Sequence, residues 1–134
     1  MSIPELHSAI QRGDIDAVGM LVSADPGVLG ERSEEGWTPL IVASFHGRAD
    51  IMRWLIAHGA GPNLPNPKGT TPLMYAKGHY LRTGDAQPLR LLLDAGADPD
   101  ITDKAGLRLI DYVPENRRAE VGAIIFRGRN PAGL

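Results

Sequence analysis

Apolar residues recur along this chain at helical spacing, in short runs that glycine and proline interrupt. Leu40, Ala43 and Ser44 share one helical face, and Gly47 breaks that helix after about two turns. The run DIMRWLI at 50–56 begins a second helix with apolar residues again at helical intervals, and Gly59 supplies its left-handed stop. Ahead of the pair, the Thr38 hydroxyl can cap the first helix. Pro39 suits the first helical position, where a backbone donor is already unpaired. Residues 62–68, with three prolines and two asparagines, cannot be helical and read as an extended turn.

This punctuation returns. Gly36, Thr38, Pro39, Leu40 and Ala43 recur as Gly69, Thr71, Pro72, Leu73 and Ala76, each 33 residues on, and a fixed period of that size signals a repeat protein. The second half of the unit, WLIAHGA at 54–60, returns as LLLDAGA at 91–97, displaced by 37, so four residues are inserted between Ala76 and Gly84. They lengthen the first helix by about one turn or form a projecting loop. Two glycines, Thr83 and Asp85 favour the loop, a mobile excursion that the stack does not require.

Weaker copies flank the two central units. A shift of 34 places Leu6 on Leu40, Ala9 on Ala43 and Gly13 on Gly47, with Pro4 entering the first helix and Asp14 capping the second. Val18, Leu21 and Val22 face inward, and the polar Glu5, His7, Gln11, Arg12 and Asp16 suit an end unit with one wet face. Residues 24–29 break the pattern of the first connection, whose tip should hold residues 32–35. At the other end, residues 106–113 keep the apolar spacing without Thr and Pro. Residues 115–126 then supply a last helix with Val121, Ile124 and Ile125 inward. The units span about 2–33, 34–66, 67–103 and 104–126 of one domain over 1–126, followed by a poorly ordered tail at 127–134.

The pattern Gly-x-Thr-Pro-Leu-x-x-Ala, a glycine, an apolar helix and Gly-Ala resembles the ankyrin repeat, over roughly residues 3–126. That resemblance implies an all-α solenoid of about four helix-turn-helix units with hairpin-like loops. It also implies binding of other macromolecules through a concave groove and loop tips. Two departures stand out. The histidine that the family places after Thr-Pro-Leu is Ile41 and Met74 here, and its Asp after Gly-Ala is Gly61.

Composition narrows the function. With 43% hydrophobic and 22% charged residues, the chain is an ordinary globular one. Its net charge of −2 conceals bands: residues 1–35 carry −5, 36–93 carry +4, and 94–112 carry −3. A pI near 6.0 argues against a dedicated nucleic-acid binder. The absence of cysteine removes disulfides, thiol nucleophiles and thiolate metal sites. No apolar run reaches membrane length and no basic leader precedes one, so a cytoplasmic monomer is expected. His7, His46, His58 and His79 form no metal-binding motif, and His58 reads as a partner for the last carbonyls of its helix. No glycine cluster is followed by Lys-Ser or Lys-Thr, and no serine sits in a nucleophile elbow. The expectation is a non-enzymatic protein-binding module with no cofactor and no metal.

Positions just before Thr-Pro, at the loop tips and at the end of each first helix recur on one side of such a stack. They bring Glu34, Glu35, Trp37, Phe45 and His46 beside Lys68, Thr70, His79 and Tyr80, with Arg82 close by. Aromatic anchors with charges at the rim are the composition of an interface. Trp37 can equally pack against the neighbouring loop, and Trp54 reads as core or convex surface. The alternative is an accessory or regulatory subunit of an enzyme, or a weak catalytic or ligand site at 78–86 with His79, Tyr80, Arg82 and Asp85. Leu40, Ala43, Leu55, Ile56, Leu73, Ala76, Leu92 and Leu93 should be buried between units.

Overall fold

The Thr-Pro starts and glycine stops act as the sequence requires. In the computed structural model, which describes residues 2–126, the Thr38 hydroxyl accepts from the Ile41 N–H at 3.2 Å and the Thr71 hydroxyl from that of Met74 at 3.3 Å. Asp14 likewise accepts from the Ala17 N–H at 3.1 Å. Gly47 closes its helix in the left-handed region at φ 68°, and the Arg48 N–H reaches back to the Ala43 carbonyl at 2.9 Å. The expected tail at 127–134 lies outside the described residues.

These signals delimit seven α-helices among the described residues, with no strand: α1 (Ser2–Arg12), α2 (Ile15–Ala24), α3 (Pro39–His46), α4 (Ala49–Ala57), α5 (Pro72–Thr83), α6 (Gln87–Asp94) and α7 (Arg118–Ile125). Consecutive helices pair, α1 with α2, α3 with α4 and α5 with α6. The first helices then stack α1 on α3 on α5, and the second helices α2 on α4 on α6. The result is a two-layer, all-α repeat solenoid. Ala9, Ala43 and Ala76 occupy equivalent positions where the inner helices meet, and each is fully buried.

Leu40, Leu55, Leu73 and Leu92 join them in the core, as expected. Ile56 and Leu93 do not. Each follows the fully buried Leu55 or Leu92 by one residue, about 100° further round the helix, and that rotation leaves it half-buried at the core's edge. Ile41 and Met74, which stand where the family has histidine, are both buried and extend the core instead. His58 acts at its helix end as expected, its Nδ1 lying 2.8 Å from the Trp54 carbonyl while its ring stacks on Trp54.

The four extra residues are where the structure departs most from expectation. They do not form a loop: α5 runs without interruption to Thr83, 12 residues against 8 in α3, and so gains one turn. A helical Gly78 costs only about 1 kcal/mol, and tertiary contacts outweigh it. Tyr80 and Leu81 pack on the core, and the Arg82 guanidinium donates to the Phe45 carbonyl at 3.1 Å. Gly84, at φ 79°, closes the helix. In the fourth unit, by contrast, the lost Thr-Pro leaves only a 3₁₀ turn (Leu109–Tyr112) in place of a first helix, and a second 3₁₀ turn (Glu115–Arg117) leads into α7. A third (Pro26–Gly30) makes the irregular first connection and buries Val28 and Leu29.

Leu55→Ala is expected to cost about 2–5 kcal/mol by lost transfer energy plus a cavity, read as a lower denaturant midpoint. Deleting residues 83–86 removes the α5 cap and should cost more than about 1 kcal/mol, beyond the usual range for changes outside the core. An unchanged midpoint for the deletion would restore the dispensable-loop reading.

Candidate functional site

Between units the backbone cannot use helical hydrogen bonds, and the turns are held by their own backbone pairs, such as the Asn66 N–H donating to the Thr70 carbonyl at 2.9 Å, and by side chains. Asn66 is buried there, its Oδ1 accepting from the N–H groups of Lys68 at 2.9 Å and Thr70 at 3.0 Å. Its Nδ2 donates to the Tyr75 hydroxyl at 2.9 Å. One unit later Asp103 repeats the device: Oδ1 accepts from Ala105 at 2.9 Å and Leu107 at 3.1 Å, and Oδ2 accepts from the Tyr112 hydroxyl. That hydroxyl bond is the largest cause holding the Asp103 carboxyl below its usual pKa. In the first turn, Ser33 Oγ accepts from the Trp37 N–H at 3.2 Å.

The three turns also bind one another. The Arg32 guanidinium donates to the Pro65 carbonyl at 2.7 Å, and the Lys104 N–H to the Lys68 carbonyl at 3.0 Å. They stack so closely that a Cβ on Gly36 would lie 2.3 Å from Pro67. The loop tips form a ladder with little freedom.

That ladder fixes an aromatic cluster beside the inner helices. Trp37 meets Phe45 edge-on at 5.4 Å between ring centroids and Tyr75 at 5.2 Å, while Phe45 and Tyr75 are 6.1 Å apart. All three are half-buried, so Trp37 both packs against its neighbours and keeps part of its surface in solvent. The Arg82 guanidinium lies 5.0 Å from the Phe45 centroid, a cation–π geometry. His46 adjoins Phe45, and burial, then Arg48 and Arg82, push its pKa down. Beside the cluster opens a cleft of about 280 Å³ lined by Phe45, Thr70, Tyr75, Lys77, Arg82 and Tyr112.

Half of the ten predicted residues come together here. Trp37, Phe45, His46, Thr70 and Arg82 surround the cluster or its cleft, with Lys68 exposed at the second tip and Glu34 and Glu35 exposed at the first. His79 and Tyr80 go elsewhere, because the extra turn of α5 carries them past the cluster. His79 Nε2 is 3.1 Å from the Asp85 carboxylate, and its ring sits so near Gly47 that a Cβ there would lie 2.2 Å away. The Tyr80 hydroxyl donates to Glu120 at 2.6 Å beneath the Arg117 guanidinium, tying α5 to α7. The candidate ligand site at 78–86 thus falls on a helix and its cap, with His79 and Tyr80 pointing to different partners.

Tyr75, Lys77 and Tyr112 escaped the sequence reading. A signal for the tyrosines exists: Tyr75 and Tyr112 are 37 residues apart, each nine after its turn residue, Asn66 or Asp103.

Stacked helix pairs and laddered turns define a helical repeat solenoid, with aromatic and basic side chains open on one face. The chain belongs to the ankyrin-repeat family: the family's sequence model, described as ankyrin repeats in three copies, matches residues 6–103. Among its relatives, a putative ankyrin repeat-containing protein of Treponema pallidum is 30% identical over 109 residues, 81% of this chain and 35% of its own. Human protein phosphatase 1 regulatory subunit 27 is 39% identical over 67 residues, 50% of this chain and 43% of its own. The human 2-5A-dependent ribonuclease is 39% identical over 71 residues, 53% of this chain but 10% of its own. The chain therefore spans less than half the length of each. Ankyrin repeats are in general protein–protein interaction modules. Among the described residues no helix is long and apolar enough to cross a membrane.

Asn66→Ala should cost about 1–3 kcal/mol, because two turn N–H groups lose their acceptor. Asn66→Asp should be much milder, since Asp103 already performs the same task with a tyrosine donor. Chemical denaturation of both variants checks the contrast.

Proposed function

We propose that this chain is a non-enzymatic protein-binding module, contacting its partner through the loop tips and inner-helix face around Trp37, Phe45 and Tyr75. The observation that carries the reading is the aromatic cluster itself: three half-exposed rings from two units, fixed by the turn ladder before any partner arrives. Prior ordering lowers the entropic cost of association, and large aromatic rings are the side chains that most often dominate interface energy. Glu34 and Glu35 on one side and Lys68 and Arg82 on the other form a charged rim that sets orientation and association rate. The partner is another protein rather than nucleic acid or membrane, and the module acts as a cytoplasmic monomer with one domain over 1–126.

A second reading, an accessory or regulatory subunit of an enzyme, draws support from the relative described as a phosphatase regulatory subunit. It uses the same surface. An uncatalysed contact is enough for either.

Partner capture from source lysate, followed by titration of the captured protein, tests the reading. Phe45→Ala and Trp37→Ala should each weaken binding by at least about 2 kcal/mol, while Lys68→Ala should chiefly slow association and change its salt dependence. Folded variants that bind as the parent does would move the contact to another face.

A further inference from the structure

The inner-helix face is chemically one-sided. Helices α3 and α5 contain no acidic residue, yet they supply His46, Lys77, His79 and Arg82. His79 has Asp85, but among the described residues no carboxylate pairs with the cations at the cleft. The Lys77 ammonium lies over the Tyr112 ring at 5.3 Å from its centroid, and it is partly removed from water. Burial pushes its pKa down. Arg82 rests on the Phe45 ring and the Phe45 carbonyl. The one carboxylate among the described lining residues, Asp103, has Oδ1 taken by two backbone donors and Oδ2 by the Tyr112 hydroxyl. The cleft therefore sets two cations and one hydrogen-bonded carboxylate, a net charge of +1, above an aromatic floor.

We infer that this cleft receives an aspartate or glutamate of the partner protein, set between Lys77 and Arg82, with an adjoining apolar side chain on the Phe45, Tyr75 and Tyr112 rings. The inference rests on the protein-binding reading above and specifies its partner. At about 280 Å³ the cleft has room for one acidic side chain and an apolar neighbour. Charge supports a single acidic residue over a polyanion. The basic middle of the chain, at +4, is flanked by bands of −5 and −3, and Glu34 and Glu35 project at the first tip. A nucleic acid or anionic membrane crossing several units meets repulsion on either side, whereas one carboxylate enters between them. The same asymmetry orients the segment: its acidic residue lies over α5 and its neutral or basic end over the first tip.

Selection of a displayed library of random dodecapeptides on the parent protein tests this, with anisotropy titrations of the enriched peptides against the parent, Lys77→Met, Lys77→Arg and Phe45→Ala. The expected outcome is enrichment of Asp or Glu beside Phe, Leu or Ile. Affinity should fall about tenfold in Lys77→Met and be largely restored in Lys77→Arg, with loss of binding in Phe45→Ala. Affinity for the parent should also fall from low to high salt, a measurement independent of whether any variant folds. Enriched peptides that need Phe45 but are neutral or basic, or acidic ones indifferent to Lys77→Met and to salt, overturn the acidic contact and leave the protein-binding surface standing. Absence of any Phe45-dependent peptide overturns both.

Discussion

The approach of the inner helices at Ala9, Ala43 and Ala76 is the contact on which the rest depends. A repeat stack has no central core, so each helix pair is stable only through the surface it shares with its neighbours. At these three equivalent, fully buried positions a methyl group lets the helices come close enough for Leu40 and Leu73 to fill the space around them. A larger side chain would separate the layers, and the damage would not stop at the core. The spacing of α3 and α5 sets the distance between the turns that precede them, and therefore whether Arg32 can reach Pro65 and whether Phe45 can meet Tyr75.

Turn chemistry and the arrangement of the aromatic cluster are consequently one system. Asn66 and Asp103 each hold a turn with one oxygen and engage a tyrosine with the remaining group, so the residues that fix the backbone also aim the rings of Tyr75 and Tyr112 at the cleft. Loosening a turn would disorder the surface before it unfolded the chain. In such a frame the order of the exposed rings rises and falls with local stability.

How much was legible in the sequence follows from how local each cause is. Thr38, Thr71, Asp14 and Gly47 act on backbone groups within a few residues, and the structure repeats their predicted roles. The repeat displaced by 33 gave the stacking order. The extension of α5 was hidden because its causes are distant: Arg82 binds Phe45, and Tyr80 binds Glu120 forty residues on, while the local composition of two glycines argues for a loop. The same hidden turn explains why His79 and Tyr80 left the expected surface. Lys77 had no pattern to announce it; only the packing of Tyr112 beside it brings it to the cleft.

The length of the insertion has a meaning of its own. At 100° per residue, four added residues advance a helix by roughly 400°, so every side chain after them emerges only about 40° from where it would have pointed. Leu89 and Leu92 still enter the core, and Gly84 still turns the chain at the corner that Gly47 turns one unit earlier. Two added residues would have swung the end of α5, and the point from which the Gly84 turn launches the next helix, by about 200°. The inner helices thus act as a phase filter on changes of length: a rung can grow by a whole turn and acquire new surface, such as Arg82 over Phe45, without altering the direction in which the following rungs are laid.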